Sequence, residues 1–355
     1  MSTRFITVLH KLRELSGISE VIYSIIAMLL ALLIGAILIW VSGYDVVKAY
    51  SSFFHGAFGN VYNLSQSLLK TIPLMFTGLA VAIGFQSGLF NIGGEGQLYW
   101  GAFASAVTAL TFAQLPGVFL LPISLLAGTL AGGIWGAIPG YLKAKTGAHE
   151  VVTTIMLNYI GILATTLVLK AYFKEPGYVD QTPMIPQSAR FPELIPYTKL
   201  TAAIFVGIGV ILLFDLMFKN TSLGYDLQAV GQNPGAAEYA GIPVKRYLVI
   251  SMALSGAAAG LAGSTMVMGV LNRFITNFSP GYGFTGIAVA VLGRNKPWGV
   301  FFAALLFGAL EAGGMAMQLF AKIPMDLMTI VQGLVILFIA APALIRLILK
   351  PAGQS

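Results

Sequence analysis

The sequence predicts an all-α membrane protein that crosses the bilayer about ten times, with broken or re-entrant elements and both termini in the cytoplasm. Three observations predict this. Of the 355 residues, 57% are hydrophobic and 9% are charged, whereas a soluble domain carries about 25% charged residues. Apolar runs long enough to span a bilayer recur along the chain. More than half of the 20 Lys and Arg fall in connections that this topology places in the cytoplasm.

Most of the apolar runs are long enough to form a span alone. The first run follows residues 1–20, a basic segment expected in the cytoplasm, and exceeds the roughly 7–15 residues of a signal-peptide core. One run, 284–293, is too short, so it is expected to be one limb of a bent or re-entrant element with residues 272–283. The predicted spans are 21–42, 67–87, 98–114, 118–141, 151–172, 200–218, 248–271, 297–319 and 327–346.

Small residues at every fourth position predict close packing between several spans, because small side chains let helix backbones approach. One such ridge contains only glycine, and two others mix serine, alanine and glycine. The ridges are Gly128, Gly132, Gly136 and Gly140; Ser255, Ala259 and Gly263; and Ala304, Gly308, Ala312 and Ala316.

The composition excludes several classes of function. The chain has no cysteine, which excludes disulfides and thiolate metal sites, and its 3 histidines are far apart. The net charge of +7 is attributed to cytoplasmic connections, so nucleic-acid binding is not expected. We expect one transmembrane domain over residues 1–355, with no metal site, no catalytic residues and no enzymatic activity.

A polar stretch interrupts the apolar sequence between the second and third predicted spans. It reads Gly88-Leu-Phe-Asn-Ile-Gly-Gly-Glu-Gly-Gln97, and we call it the polar segment. Irregular backbone at membrane depth is tolerated only where protein surrounds it or where it lines a cavity. The polar segment therefore predicts a helix break beside a route across the membrane.

Residues in or near the polar segment are candidates for lining that route. Glu95 either lines it, binding a substrate hydroxyl or carrying a proton, or accepts hydrogen bonds from amides that the glycines leave unpaired; the second role is favoured. Asn91 and Gln97 either contact a sugar or nucleobase or bond to adjacent helices. Asn158 and Glu311, each within a predicted span, carry the same ambiguity. The candidate pathway residues are Asn91, Glu95, Gln97, Phe90 and Asn158.

Residues 173–199 contain five prolines, at positions 176, 183, 186, 192 and 196, and have no helical period. They are expected to form an ordered external loop or a short re-entrant hairpin. On the predicted orientation they face the outside. Two interpretations stay open: a docking surface for a delivery partner, and a passive connection.

Residues 219–247, which we call the cytoplasmic segment, form the longest polar stretch on the predicted inner side. Asn233 is a suitable N-cap, Pro234 suits the first helical position and Gly241 suits the residue past the end, which predicts a short helix over 234–240. So short a helix is not stable alone in water. It either docks on a cytoplasmic protein or only links two spans.

Four motifs together resemble the permease subunits of ABC importers of the sugar, nucleoside and branched-chain amino acid group. They are Asn-Pro-x-Ala-Ala-x-x-x-Gly-Ile at 233–242, the polar segment, and the segments 253–263 and 286–293. The resemblance covers residues 65–345, and the polar segment has the form most typical of the nucleoside (simple sugar) branch. One position departs from the pattern: many relatives carry Arg where this chain has Gln228.

The resemblance implies partners and a site of energy coupling. A second permease subunit, forming a heterodimer, two cytoplasmic ATPase subunits and an external substrate-binding protein are expected, in the lipid bilayer of a bacterial plasma membrane. The chain lacks the Gly-x-x-x-x-Gly-Lys-Ser/Thr loop that cradles phosphates, so it is expected to need no cofactor and to leave ATP to its partners. The implied coupling residues are Asn233, Pro234, Gly235, Ala236, Ala237, Glu238 and Gly241.

The expected function is nucleoside translocation by alternating access, driven by separate ATPase subunits. Two alternatives remain open at the level of the sequence. One is an ABC permease for simple sugars or branched-chain amino acids. The other is an ion-coupled secondary transporter, for which broken helices and paired acids in both halves would be typical.

Overall fold

A computed structural model describes residues 30–340 of the chain. The predicted cytoplasmic residues 1–20, both termini, and parts of the first and last predicted spans lie outside the described residues. The helices are α1 (Leu30–Val41), α2 (Val46–Phe58), α3 (Val61–Gln86), α4 (Gly94–Thr111), α5 (Gly117–Thr146), α6 (Glu150–Val168), α7 (Ala203–Asn220), α8 (Ser222–Gln232), α9 (Pro234–Tyr239), α10 (Val244–Met266), α11 (Tyr282–Leu292), α12 (Pro297–Ala321) and α13 (Met325–Ala340).

Within residues 30–340, six helical segments are long and apolar enough to cross a membrane. Single π-helical turns, Leu169–Phe173 and Val267–Leu271, extend α6 and α10. The helix α11 has 11 residues and is too short to span, as the sequence predicted. The six segments are Val61–Gln86, Gly117–Thr146, Glu150–Phe173, Ala203–Asn220, Val244–Leu271 and Pro297–Ala321.

The described residues divide into two compact units, 30–59 with 313–340 and 60–312. In the first unit, the sequence did not predict α2. The Asp45 side chain accepts a hydrogen bond from the Lys48 amide at 3.0 Å and caps this helix. The Tyr50 hydroxyl donates to the Leu32 carbonyl of α1, and Gly35 of α1 lies against Val331 of α13. These contacts connect three helices of the unit.

In the second unit, α10 packs against α3, α4 and α5. Glycines make the α5–α10 crossing close: a Cβ on Gly132 would lie 2.4 Å from the Gly256 carbonyl oxygen. At Gly263 the predicted α10 ridge of Ser255, Ala259 and Gly263 does pack closely against another helix, but not in this crossing. The residues facing α5 are offset by one position, and Gly263 instead lies against the backbone of α4.

Residues 174–202 form an ordered loop with one 3-10 turn, Gln187–Ala189. Backbone hydrogen bonds fix it to the chain after α10: the Thr182 amide donates to the Phe274 carbonyl, and the Phe191 amide to the Met268 carbonyl. Lys170 and Lys174 hold the Asp180 carboxylate at 2.8 and 2.7 Å. Hydrogen bonds from these two ammonium groups lower the pKa of that carboxyl.

Candidate functional site: a helix break and the cytoplasmic helices

The helix break is shorter than the polar segment. The helix α3 ends at Gln86 and α4 begins at Gly94, so residues 87–93 form the irregular backbone. The expectation that irregular backbone extends through residues 94–97 is wrong, because Glu95 and Gln97 belong to the first turn of α4. Gly88 has a φ of +70°, a left-handed conformation that glycine adopts without steric cost.

The Asn91 side chain, within the break, hydrogen-bonds to residues on both sides of it. Its amide nitrogen donates to the Gln97 side-chain oxygen at 2.9 Å and to the Ser255 hydroxyl at 2.7 Å. Its own oxygen accepts from the Gly93 amide at 2.8 Å, and Ser255 donates onward to the Ala80 carbonyl of α3. Asn91 is fully buried and Gln97 is 1% exposed. Asn91 thus bonds to the adjacent helix α10 through Ser255, and Gln97 bonds to Asn91; a part of either amide in the pathway stays a prediction.

Asn158 of α6 supports the same break from the other side. Its side-chain oxygen accepts from the Gly96 amide at 2.8 Å, and its nitrogen donates to the Ile92 carbonyl at 2.7 Å. The contact is close, since a Cβ on Gly96 would lie 2.9 Å from the Asn158 Cα. Asn158 thereby pairs one backbone donor in the first turn of α4, which has no partner within the helix, and one backbone acceptor in the break.

Glu95 joins α4 to α11. Its carboxylate accepts from the Gly283 amide at 2.6 Å, in the first turn of α11, and the side chain is 4% exposed. The role as an acceptor for amides is the one the sequence favoured, but the partner is not a glycine of the polar segment. Helix N-termini carry partial positive charge. The carboxylate therefore stabilises two helix N-termini that meet at this point.

The start of α11 is irregular as well. Gly281 has a φ of +97°, and the Ser279 hydroxyl oxygen accepts from the Gly281 and Tyr282 amides at 3.2 Å each. A Cβ on Gly283 would lie 2.3 Å from the Glu95 amide nitrogen, so glycine permits this approach. The second predicted bent element is thus a break before α11, directly opposite the first turn of α4.

The structure brings together Asn91, Glu95, Gln97 and Asn158 around the break, whereas the side chains of two other candidates take no part in these hydrogen bonds. Phe90 is half-buried, and its ring lies 4.9 Å from the ring of Phe85. Glu311 lies in α12, and among the described residues it makes no hydrogen bond to this network.

The sequence did not predict α8, which occupies the first half of the cytoplasmic segment. Thr221 caps it by accepting from the Gly224 amide at 3.1 Å. Near its end, Gly231 lies directly on the helix break: a Cβ there would lie 2.3 Å from the Gln86 carbonyl oxygen and 2.8 Å from the Gly88 nitrogen. Two features could have revealed α8: a capping Thr, and the apolar positions 227 and 230 on one helical face.

The short helix predicted at 234–240 is present as α9, Pro234–Tyr239. The Asn233 side chain accepts from the Ala236 amide at 3.1 Å, and Gly241 has a φ of +84°. Ala237 faces inward and is 4% exposed. The other helical residues are exposed: Pro234, Gly235, Ala236, Glu238 and Tyr239. Tyr239 is 98% exposed, so α9 presents small side chains and one aromatic ring to its surroundings.

Comparison with known proteins places this geometry in a family. The family described as branched-chain amino acid transport system, permease component, matches residues 63–340. The chain belongs to this family. It is a multi-pass membrane subunit of the bacterial plasma membrane and not itself the ATPase.

Three curated relatives cover most of the chain. The guanosine ABC transporter permease NupP of Bacillus subtilis is 37% identical over 95% of this chain and 99% of its own length. The nucleoside ABC transporter permease NupB of Lactococcus lactis is 36% identical, over 94% of each chain. The glucose ABC transporter permease TsgB13 of Haloferax volcanii is 34% identical, over 89% of this chain and 86% of its own.

Proposed function

We propose that this permease translocates nucleosides as the membrane-spanning subunit of an ABC importer, by alternating access. The observation that carries the proposal is similarity along almost the whole chain to two relatives named for guanosine and nucleoside transport. The glucose relative, only slightly less similar, supports a simple sugar as the second candidate. A nucleoside contains a sugar, so the two candidates share part of their chemistry.

We infer ten crossings with both termini in the cytoplasm. The distribution of Lys and Arg supports this orientation, and the six long apolar helices are consistent with it. The loop over 173–199 then faces the outside, where an external substrate-binding protein docks. The cytoplasmic segment, with α8 and α9, lies on the opposite side.

The proposed assembly contains a second permease subunit as a heterodimer, two cytoplasmic ATPase subunits and the external binding protein. ATP is bound by the ATPase subunits, and this chain needs no cofactor of its own. The exposed face of α9 supports docking of an ATPase there, because Ala236 allows a partner backbone to approach and Tyr239 offers a fully exposed ring.

The path of coupling runs from α9 to the helix break. Asn233 ends α8 and caps α9, so movement of one helix is passed directly to the other. The contact of Gly231 with Gln86 and Gly88 then carries the movement to the end of α3. ATP-driven closure of the ATPase subunits moves α9, and this contact tilts the helices on either side of the break.

The candidate pathway residues shape the route rather than contact the cargo. Their polar atoms bond to backbone and to one another. This supports a role in pairing the polar groups that the helix break leaves without helical partners. Phe90 remains the member of the set whose side chain is not held by hydrogen bonds. This proposed role covers Asn91, Glu95, Gln97 and Asn158, and Phe90 is proposed to line the route beside them.

Uptake by the complete complex in proteoliposomes tests the proposed function. With ATP supplied to the ATPase subunits and the external binding protein present, guanosine uptake is expected to require ATP and to survive an ionophore that abolishes ion gradients. Excess unlabelled nucleosides should compete, whereas glucose and leucine should not. Competition by glucose would instead support a simple sugar as the substrate. Uptake by this chain alone, driven by an ion gradient, would contradict the importer.

A further inference from the structure

The span that contains α6 packs against its own chain along one narrow stripe. The buried residues of α6 recur every three or four positions, and the helix contacts α4 and α5. The opposite side is exposed along the length of α6. We call this exposed stripe the α6 face, and it consists of Val152, Met156, Tyr159, Ile160, Leu163 and Leu167.

Ion-paired side chains mark both ends of this span. Glu150 pairs with Lys143 at 2.5 Å at one end, and Lys170 pairs with Asp180 at 2.8 Å at the other. At 1.5 Å per residue, Glu150 and Lys170 are about 30 Å apart along the helix, which matches the thickness of the hydrocarbon core of a bilayer. Tyr159 lies nearly midway between them and therefore near the centre of the membrane.

The position of Tyr159 differs from that of the other exposed tyrosines in the long apolar helices of residues 30–340. Tyr62 and Tyr172 each lie one residue from the end of a span, and Tyr141 lies within about two turns of the end of α5. Tyrosines at span ends suit the headgroup region, where this residue is enriched. Tyr159 is 63% exposed at mid-span, where that explanation does not apply.

The Tyr159 hydroxyl forms no hydrogen bond with the residues that the structure describes. In hydrocarbon it would also find no partner, and an unpaired polar group there is costly. The other residues of the α6 face are apolar, which does not suit a water-filled route. A single polar group within an apolar stripe is typical of contact between spanning helices, where polar side chains hydrogen-bond from one helix to the next.

We propose that the second permease subunit packs against the α6 face and pairs a polar group with the Tyr159 hydroxyl. This interface rests on the assembly given under the proposed function and adds the helix at which the two permeases meet. Asn158, the neighbouring residue, bonds to the Gly96 amide and the Ile92 carbonyl at the helix break. Movement between the two subunits therefore reaches the break through one turn of α6.

Crosslinking from a single position tests the interface. The chain has no cysteine, so Tyr159→Cys gives one site for a benzophenone maleimide when the partner subunits are also free of cysteine. Illumination of the assembled complex in nanodiscs is expected to join this chain covalently to the second permease, as measured by gel mass and mass spectrometry. If Tyr159→Cys does not assemble, Leu163→Cys on the same face replaces it.

Leu213→Cys is the matched control. Leu213 is 62% exposed near the middle of the span Ala203–Asn220, and the label there should react with lipid. Equal crosslinking to the second permease from both positions would overturn the assignment to α6. Lipid adducts alone from position 159, in a complex that still imports nucleoside, would overturn the interface and leave the proposed function standing. A product made of two copies of this chain would overturn the choice of partner.

Removal of the hydroxyl alone tests the part played by Tyr159. Tyr159→Phe should accelerate exchange of the second permease between assembled complexes in liposomes about threefold, the size of an average hydrogen bond between spanning helices. Fluorescence energy transfer between labelled second permeases measures the exchange. Tyr172→Phe, which removes an exposed hydroxyl at the end of the same span, should leave the rate unchanged. Equal exchange rates in the unmodified complex and in Tyr159→Phe would overturn the hydrogen bond.

Discussion

The helix break and α9 differ in how far their side chains are buried. At the break, the side chains of Asn91, Gln97 and Asn158 are at most 2% exposed and bond to backbone or to one another. On α9, by contrast, one residue of the helix faces inward and the rest are exposed. The polar side chains at the break find their hydrogen-bond partners within this chain, whereas α9 presents an exposed surface suited to a partner.

This difference shows that a polar residue in a membrane protein can serve the structure rather than the substrate. A buried polar cluster suggests a substrate site, yet irregular backbone in a membrane needs acceptors and donors of its own. Here Glu95 supplies an acceptor to the first turn of α11. The small exposed residues of α9 have no such structural task, so they give the stronger indication of an interaction.

Gly231→Val is expected to have the largest effect on uptake, because Gly231 is where α8 contacts the helix break. The new side chain would meet the Gln86 carbonyl and the Gly88 backbone, and overpacking of this kind costs about 1–3 kcal/mol. We expect uptake to be abolished while the complex still assembles and its ATPase subunits still hydrolyse ATP. Uptake and ATP hydrolysis by the same reconstituted sample check this.

Gly209→Val is the matched control. Gly209 is an exposed glycine of α7, and a Cβ placed on it would meet no atom within 4 Å. It should therefore retain normal uptake. Normal uptake by Gly231→Val as well would show that the contact between α8 and the break carries no movement.

Exchange of Glu95 gives a smaller and more specific effect. Glu95→Gln keeps an oxygen that can accept from the Gly283 amide, so stability and uptake should stay close to normal. Glu95→Leu leaves a buried amide without its acceptor, at about 1–3 kcal/mol, and should lower the Tm and reduce uptake. Thermal unfolding in detergent and uptake measured side by side separate the two variants.

If Glu95 carried protons, Glu95→Gln would affect uptake rather than stability. The glutamine variant would then lose uptake as completely as the leucine variant, with its Tm unchanged. That outcome would indicate that Glu95 acts in the transport pathway and does not only stabilise the helix break.

Much of the fold followed from the sequence because long apolar runs report membrane spans directly. The runs predicted at 118–141 and 297–319 correspond to Gly117–Thr146 and Pro297–Ala321. Short amphipathic helices did not follow: α2 and α8 lie in stretches of mixed polarity, where hydropathy gives no signal. The capping residues Asp45 and Thr221 were the available evidence for both.

At the site, local chemistry was predictable and partners were not. The cap at Asn233, the proline and the closing glycine predicted α9 because each acts within a few residues. By contrast, Glu95 accepts from Gly283, 188 positions away, and one of the bonds of Asn91 goes to Ser255, 164 positions away. Side-chain type shows that an acceptor is present, but only the packing of helices decides which amide it meets.

The most direct test of the account is the ratio of ATP hydrolysed to nucleoside transported in proteoliposomes containing the complete complex. Ala236→Arg places a long cation on the exposed face of α9, where it should obstruct ATPase docking. Ala236→Ser serves as the control, whereas Ala237 is buried and would report on folding instead. If an ATPase subunit docks on α9, the arginine variant should raise the ratio at least about tenfold, equivalent to roughly 1.4 kcal/mol of lost coupling. An unchanged ratio in an assembled Ala236→Arg complex would contradict it.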